Sequence, residues 1–114
     1  MRPGQIEPND FELAILERMA RGSPSIRPYI AKLHVLSREF TGVGSYTKFR
    51  VENSSSKLVD GRLSIGLISM PGVPNGMGAI LFCKNGAPEL LEIYTNGDVL
   101  WDGVFTGFSI GANA

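Results

Sequence analysis

The sequence predicts an α+β domain in which one or two N-terminal helices pack on a five- to six-stranded, mostly antiparallel sheet. Apolar residues recur at helical spacing only in the first third of the chain, up to about residue 33. From residue 34 onward the period shortens towards two, and Val, Ile, Phe, Tyr and Thr become frequent. Short turn signals separate these later segments, which is typical of antiparallel strands with the helices on one face of the sheet.

Composition fits one folded domain. The chain has 114 residues, and 43% of them are hydrophobic, which is enough apolar material for a core and argues against disorder. The 11 basic and 11 acidic residues cancel, so no overall field favours nucleic acid or an anionic membrane. We expect a flexible arm over residues 1–8, a single α+β domain over 9–110 and a frayed tail over 111–114.

The cysteine count and the hydropathy favour a soluble cytoplasmic protein. Cys83 is the only cysteine, so no disulfide can form within the chain, as expected in a reducing compartment. The first eight residues lack the apolar stretch of a secretory signal, and no apolar run approaches the roughly 20 residues of a membrane helix.

The first helix is predicted over residues 10–21. Asn9 or Asp10 can cap its N-terminus, Glu12 lies in the first turn where the helix dipole favours an anion, and Gly22 is a natural stop. One broad side carries the residues that must be buried, namely Leu13, Ile15, Leu16, Met19 and Ala20.

Residues 25–33 are predicted as a second short helix, with an early strand as the competing interpretation. Ile26, Tyr29, Ile30 and Leu33 recur at helical spacing, and Pro28 is tolerated only because it falls in the first turn.

The remainder of the chain is predicted as strands. Thr41-Gly42 indicates a hairpin between the first two, and Asn85-Gly86 a tight turn between the fourth and fifth. The run Pro71–Gly76 is a strong breaker, and residues 78–83 are apolar enough for a central strand covered on both faces. A polar loop is expected over 53–57 and a turn over 96–98. The predicted strands are 34–40, 43–51, 62–70, 77–83, 89–95 and, weakened by Gly107, 104–110.

Two segments carry a family resemblance. Residues 37–49 read SREFTGVGSYTKF, and residues 90–101 read LLEIYTNGDVLW. With these SREFTGVGxxTxF and LExYTxG…W patterns, residues 25–102 resemble a family of short bacterial proteins for which no activity is established. The chain departs from the family pattern at Asn85, Asn96 and Asp102. The resemblance implies an α+β fold and no particular chemistry.

Catalytic residue types are scarce. His34 is the only plausible general base at neutral pH, and no nucleophile lies near it in sequence, so a surface or hydrogen-bonded role is favoured over catalysis. Cys83 alternates with apolar residues and is favoured as a buried hydrophobe over a nucleophile activated by Lys84. No metal site or cofactor is expected. Whether the chain is an enzyme stays open, with a non-enzymatic function favoured.

Two further patterns have simple structural interpretations. Residues 41–44, Thr-Gly-Val-Gly, lack the GK[ST] ending of a phosphate loop and lead into a strand, so a hairpin is favoured. The carboxylates Glu39, Glu89, Glu92, Asp98 and Asp102 are favoured as a solvated sheet face over a cation or glycosidase site, which needs defined separations.

Two functional hypotheses follow from these features. The first is a non-enzymatic protein-interaction module, of which a toxin-neutralising immunity protein is one form, with an interaction surface formed by Tyr94, Asp98, Trp101 and Asp102. Core packing is the competing role for Trp101. The second is a small-ligand-binding protein or an enzyme of unrecognised type, with a pocket between helices and sheet lined by His34, Arg38, Glu39 and Tyr94.

The expected partner is a protein of unknown identity, without nucleic acid or membrane. A homodimer is also predicted, because an apolar last strand without Lys or Pro would be an unprotected sheet edge.

Overall fold

The computed structural model describes residues 7–51, 61–84 and 86–111. Two α-helices and six strands follow one another in the order helix, helix and then strands, with 3-10 turns at Pro24–Ile26 and Asn96–Asp98. The helices are α1 (Asp10–Gly22) and α2 (Arg27–Ile30). The strands are β1 (Leu33–Phe40), β2 (Gly44–Val51), β3 (Gly61–Met70), β4 (Val73–Lys84), β5 (Ala87–Thr95) and β6 (Ser109–Ile110).

The strands form one sheet in the order β1-β2-β5-β4-β3-β6. Every neighbouring pair in this sheet is antiparallel. The helices pack on one face of it, which confirms the predicted α+β class. The structure describes no helix that is long and apolar enough to cross a membrane.

Helix α1 begins as the sequence indicates and buries one side. Asn9 is the N-cap: its side chain accepts from the backbone N–H of Glu12, and the Glu12 side chain accepts from the backbone N–H of Asn9. This reciprocal capping box satisfies two backbone donors that a helix start otherwise leaves open. The buried side consists of Phe11, Glu12, Ile15, Leu16, Met19 and Ala20.

The second helical segment is shorter than predicted. A 3-10 turn at Pro24–Ile26 leads into a single α-helical turn, Arg27–Ile30, and β1 already begins at Leu33. Pro24 and Pro28 supply helical φ angles but no N–H donors, so they start turns without extending them. The competing strand interpretation of residues 25–33 is wrong except at Leu33.

Among residues 7–51, 61–84 and 86–111, other elements cover only one face of the sheet, which corrects the expectation for the central strand. Leu81 and Ala79 of β4 are fully buried on the helix side. Ile80 and Phe82 alternate with them and are only half-buried, because they project from the other face. Strand β4 is central in the sheet but exposed on one side.

Two strand boundaries differ from the predictions. Strand β4 begins at Val73 and not near Met77, because Gly72 with φ +82° closes a tight turn that pairs Val73 with Met70. The last strand contains only Ser109–Ile110, since the preceding segment turns at Gly107 with φ +82°. Residues 104–108 pack aromatic rings on α1 and do not extend the sheet.

The Thr41-Gly42 hairpin is confirmed: Gly42 has φ +90°, and the Thr41 N–H donates to the Gly44 carbonyl at 2.9 Å. The phosphate-loop alternative is therefore wrong. The polar loop 53–57 lies outside the described residues, as do Asn85 of the predicted Asn85-Gly86 turn, residues 1–6 of the arm and 112–114 of the tail.

Candidate functional site

Trp101 is a core residue at the junction of α1, β1 and the C-terminal segment. Its side chain is 4% exposed and packs edge-on against Phe11, Phe40 and Phe105, with ring centroids 6.4, 5.7 and 5.1 Å away. The indole N–H donates to the Val104 carbonyl at 3.3 Å. Such edge-to-face contacts add to the burial of the ring and fix its position. The core role weighed for Trp101 is the one that the structure shows.

Three exposed apolar residues adjoin Trp101 through a ring contact, a hydrogen bond to the backbone or the chain itself, and we call them the apolar patch: Phe40, Val104 and Leu100. Their exposed fractions are 48%, 50% and 77%. Phe40 contacts the indole from the end of β1, Leu100 precedes Trp101, and Val104 accepts its N–H. Single exposed apolar residues are ordinary, but a group held around one anchor is the usual composition of a binding surface.

The acidic turn is the segment 96–102, and it includes Leu100 of the apolar patch. Asp98 and Asp102 are both exposed. Asp98 has φ +54°, a left-handed conformation that costs a residue with a Cβ free energy and that is enriched at binding sites. The Thr95 hydroxyl donates to the Val99 carbonyl at 2.7 Å, and the Asp102 carboxylate accepts from the Val104 N–H at 3.0 Å. These bonds hold the turn in one shape beside the patch.

The structure separates the residues of the predicted interaction surface. Asp98 and Asp102 lie exposed on either side of Leu100, whereas Trp101 lies buried between them in sequence. Tyr94 is on the opposite face of the sheet, where its ring lies over Gly78 and leaves no room there for a Cβ. The sequence did not identify Phe40, Leu100 and Val104 as surface residues, because no sequence pattern shows that an apolar residue is exposed.

The four residues of the predicted pocket do not line a common space. Arg38 pairs with the buried Thr47 and projects towards the helices. Glu39, the next residue, pairs with the exposed Tyr46 and projects from the other face, as do His34 and Tyr94. Side chains alternate along a strand, so neighbours such as Arg38 and Glu39 cannot face one pocket.

Arg38 instead belongs to a buried carboxylate network that the sequence did not reveal. Glu12 is fully buried, and its two oxygens accept from Arg38 Nη2 at 2.6 Å, Arg38 Nε at 2.9 Å, Thr47 Oγ1 at 2.6 Å and the Asn9 N–H at 2.9 Å. The Arg38 guanidinium also lies 5.9 Å from the Phe105 ring centre. The hydrogen bond to Glu12 raises the pKa of Arg38, followed in size by an opposing effect of burial.

This network joins elements and does not form a reactive centre. The carboxylate accepts four hydrogen bonds, about as many as its two oxygens can take, so no position is left for a substrate. It ties the start of α1 to β1 and β2. The Asn-x-x-Glu capping spacing is the only signal in the sequence, and it does not name Arg38 or Thr47.

A groove of about 420 Å³ lies between α1 and the C-terminal segment. Arg18, Arg21, Arg27 and Glu17 supply its charges, and Phe108 and Ile110 its apolar wall. Arg27 and Glu17 form an exposed ion pair at 2.8 Å. The groove is unrelated to the predicted pocket residues, and among its described lining residues the one carboxylate, Glu17, is paired with Arg27.

Other candidate chemistry is not assembled within the described ranges. Cys83 is 8% exposed on the helix side of β4. Among residues 7–51, 61–84 and 86–111, no group of three or more His, Cys, Asp or Glu side chains is arranged to hold a metal ion.

The two segments that carry the family resemblance are neighbours in the structure. Residues 37–49 span β1 and β2, and residues 90–101 span β5, the acidic turn and Trp101. Strand β2 pairs with β5, so the two segments together frame the apolar patch. Comparisons with family models, curated proteins and solved structures find no match. The family membership stays a prediction.

Proposed function

We propose that this chain is a non-enzymatic protein-interaction module that covers a basic site on a partner protein with its apolar patch and acidic turn. The observation that carries the proposal is the exposure of Phe40, Leu100 and Val104 around one immobilised indole. Leu100, with 77% of its surface exposed, supplies the strongest anchor.

The charge around the patch suggests the chemistry of the partner. Asp98 and Asp102 flank Leu100 and are both exposed, so a cationic surface with a central apolar cavity complements them. The hydrogen bonds that hold the turn preorganise this surface for binding, because less conformational freedom is then lost on association. A toxin-neutralising immunity protein, which blocks a basic active site by occlusion, is the biological form we propose.

The experiment compares capture of a partner by the wild-type chain and by three variants. Leu100→Ser removes the anchor, and Asp98→Lys with Asp102→Lys reverses the charge. Glu89→Lys reverses an exposed carboxylate on β5, outside the acidic turn, and serves as the matched control. The partner is identified by mass spectrometry of native-host lysate, purified, and titrated against each variant.

We expect Leu100→Ser and the Asp98/Asp102 double variant each to weaken binding at least ~10-fold, with the charge effect shrinking as salt rises. Glu89→Lys should bind as the wild type does. If no protein is retained, or if all variants bind the partner equally well, the proposal is wrong.

The groove supports a second candidate function, the binding of a small anion that carries an apolar group. Arg21 and Arg27 offer bidentate donors to a carboxylate or phosphate, and Phe108 offers a ring for the apolar part. A ligand that binds only the folded chain raises its melting temperature. The test is a thermal-shift screen with phenyl phosphate and benzoate, repeated with Arg21→Ala. A shift that Arg21→Ala abolishes supports this function, and no shift at millimolar ligand argues against it.

A cytoplasmic location and a homodimer also remain proposals. The single cysteine supports the first, and cell fractionation tests it. The route to a homodimer through the last strand loses its support, because β6 contains only two residues. The uncovered face of the sheet offers a better route.

A further inference from the structure

The face of the sheet opposite the helices has an apolar centre, and we call it the open face. The buried side chains of β2, β5 and β4 point to the helices, so the residues that alternate with them point away. Four large side chains of the two central strands lie half-buried on this open face, namely Ile80, Phe82, Leu90 and Tyr94. A sheet face that serves only as a solvent boundary is normally polar.

Charged residues occupy two neighbouring cross-strand rows around this centre, and Arg50 and Lys84 lie beyond the basic row on the same face. The strand register aligns Glu39, Tyr46, Glu92, Ile80 and Ser64 as an acidic row, and Ser37, Lys48, Leu90, Phe82 and Arg62 as a basic row. Each row crosses five strands. The rows are two residues apart along the strands, which is about 7 Å.

The electrostatics of the acidic row support this placement. The Tyr46 hydroxyl donates to Glu92 at 3.3 Å. The pKa of Tyr46 is raised above its usual value. The largest cause is the charge of Glu92, followed by burial, the hydrogen bond to Glu92 and the charge of Glu39. Within the described residues, Lys48 and Arg62 take part in no ion pair. The two rows carry formal charges of −2 and +2, and in the part of the chain that the structure describes no ion pair joins them.

We propose that the open face is a self-complementary surface on which a second copy of this chain packs. A two-fold axis parallel to the rows and midway between them places the acidic row of one copy against the basic row of the other. Such isologous pairing is the commonest form of homodimer. The alternation of sign between the two rows favours a second copy over a uniformly basic or acidic partner, either of which would meet one repelling row.

The geometry allows Lys48, the more central of the two cations, to meet carboxylates of the second copy. Packed sheet faces are about 10 Å apart, a gap that two long side chains span. Lys48 would lie opposite the partner's Tyr46, with the partner's Glu39 and the partner's Glu92 on the adjacent strands about 4.8 Å to either side. Phe82 would lie against the partner's Ile80. The usual angle of about 30° between packed sheets displaces the outer strands more than the central ones.

The decisive test uses charge-swapped partners. Variant A carries Lys48→Glu and Arg62→Glu, so both rows are acidic, and variant B carries Glu39→Lys and Glu92→Lys, so both are basic. Lys32→Glu changes an exposed cation before β1 and is the control. Masses are measured by light scattering and sedimentation velocity from about 1 to 200 µM, a range suited to a micromolar dimer.

We expect the wild type and Lys32→Glu to dimerise with the same constant. Variants A and B alone should each weaken dimerisation at least ~10-fold, and an equimolar mixture of A and B should restore a dimer. Circular dichroism of each variant checks that it is folded. A wild-type monomer at 200 µM would overturn the inference, and so would a dimer that persists in folded A or B.

This inference is independent of the proposed function. The apolar patch and the acidic turn contribute none of the residues changed in A or B, and the masses are measured without the partner. Leu100→Ser that loses partner binding but keeps the dimer supports the proposed function alone. Variants A and B that lose the dimer but keep partner binding support this inference alone.

Discussion

The substitution Glu12→Gln should destabilise the protein by about 3 kcal/mol, even though it changes only one atom of a side chain. Glu12 is 0% exposed, and its two oxygens accept from Arg38, Thr47 and the Asn9 backbone. An amide offers one oxygen in place of two, so at least one of these donors would face an NH₂ group.

The size of the loss in unfolding free energy follows from the Arg38 charge that the substitution leaves without its partner. Removing one member of a buried ion pair typically costs about 3 to 5 kcal/mol, because the other charge stays uncompensated. A quarter of the Arg38 side chain is exposed, so water screens part of the remaining charge and the lower limit applies. For a chain of this length, ~3 kcal/mol corresponds to a fall in melting temperature of roughly 12 °C.

The assay is urea denaturation followed by far-ultraviolet circular dichroism, with Glu17→Gln as the matched control. Glu17 lies on the same helix and pairs with Arg27 at 2.8 Å, but both side chains are more than half exposed. Exposed pairs contribute about 0 to 1 kcal/mol, so the control should cost at most a few tenths. A loss below ~1 kcal/mol for Glu12→Gln, or equal losses for the two variants, would refute the reasoning.

Three further predictions address single features. The phenol of Tyr46 should titrate above its usual value near 10, and Glu92→Gln should lower that pKa, as measured by the pH dependence of the Tyr46 ring signal in NMR. Because the folded-state pKa is raised, its contribution to stability is complete below the unfolded-state pKa and is lost as the pH rises through the folded one. Gly44→Ala should lower the melting temperature sharply, since its Cβ would overlap a backbone carbonyl of β5, and an unchanged value would contradict the contact. Asp98→Gly should leave the free energy of unfolding equal or up to ~1 kcal/mol higher, because glycine adopts a φ of +54° without steric cost; a clear loss would show that the Asp98 side chain stabilises the turn.

Local signals predicted most of the fold. The apolar spacing and the cap at Asn9 placed α1 within one residue of its observed end at Gly22. The change of period at residue 34 placed β1, and the Thr41-Gly42 turn placed its partner. These features depend on neighbours in sequence, which is why the pattern reveals them.

Features that depend on residues far apart in the chain could not be predicted from the sequence. The Glu12–Arg38 pair joins positions 26 residues apart, and only the tertiary fold brings them together. The hydropathy of β4 indicated a strand, but it could not show that Ile80 faces an open side. Likewise, Leu100 and Trp101 are adjacent in sequence, yet the first is exposed and the second buried. The 96–101 segment is irregular, so burial there follows no simple period.

The burial of Trp101 makes the protein its own optical reporter. It is the only tryptophan in the chain, so intrinsic fluorescence above 295 nm excitation arises from one position. That position touches Phe40 and lies beneath the apolar patch, whereas the open face is on the other side of the sheet. A partner that seats on the patch would change the emission of the indole without any label, and a second copy on the open face would leave the emission unchanged. A change in the emission therefore reports binding at the patch and is not produced by self-association on the open face.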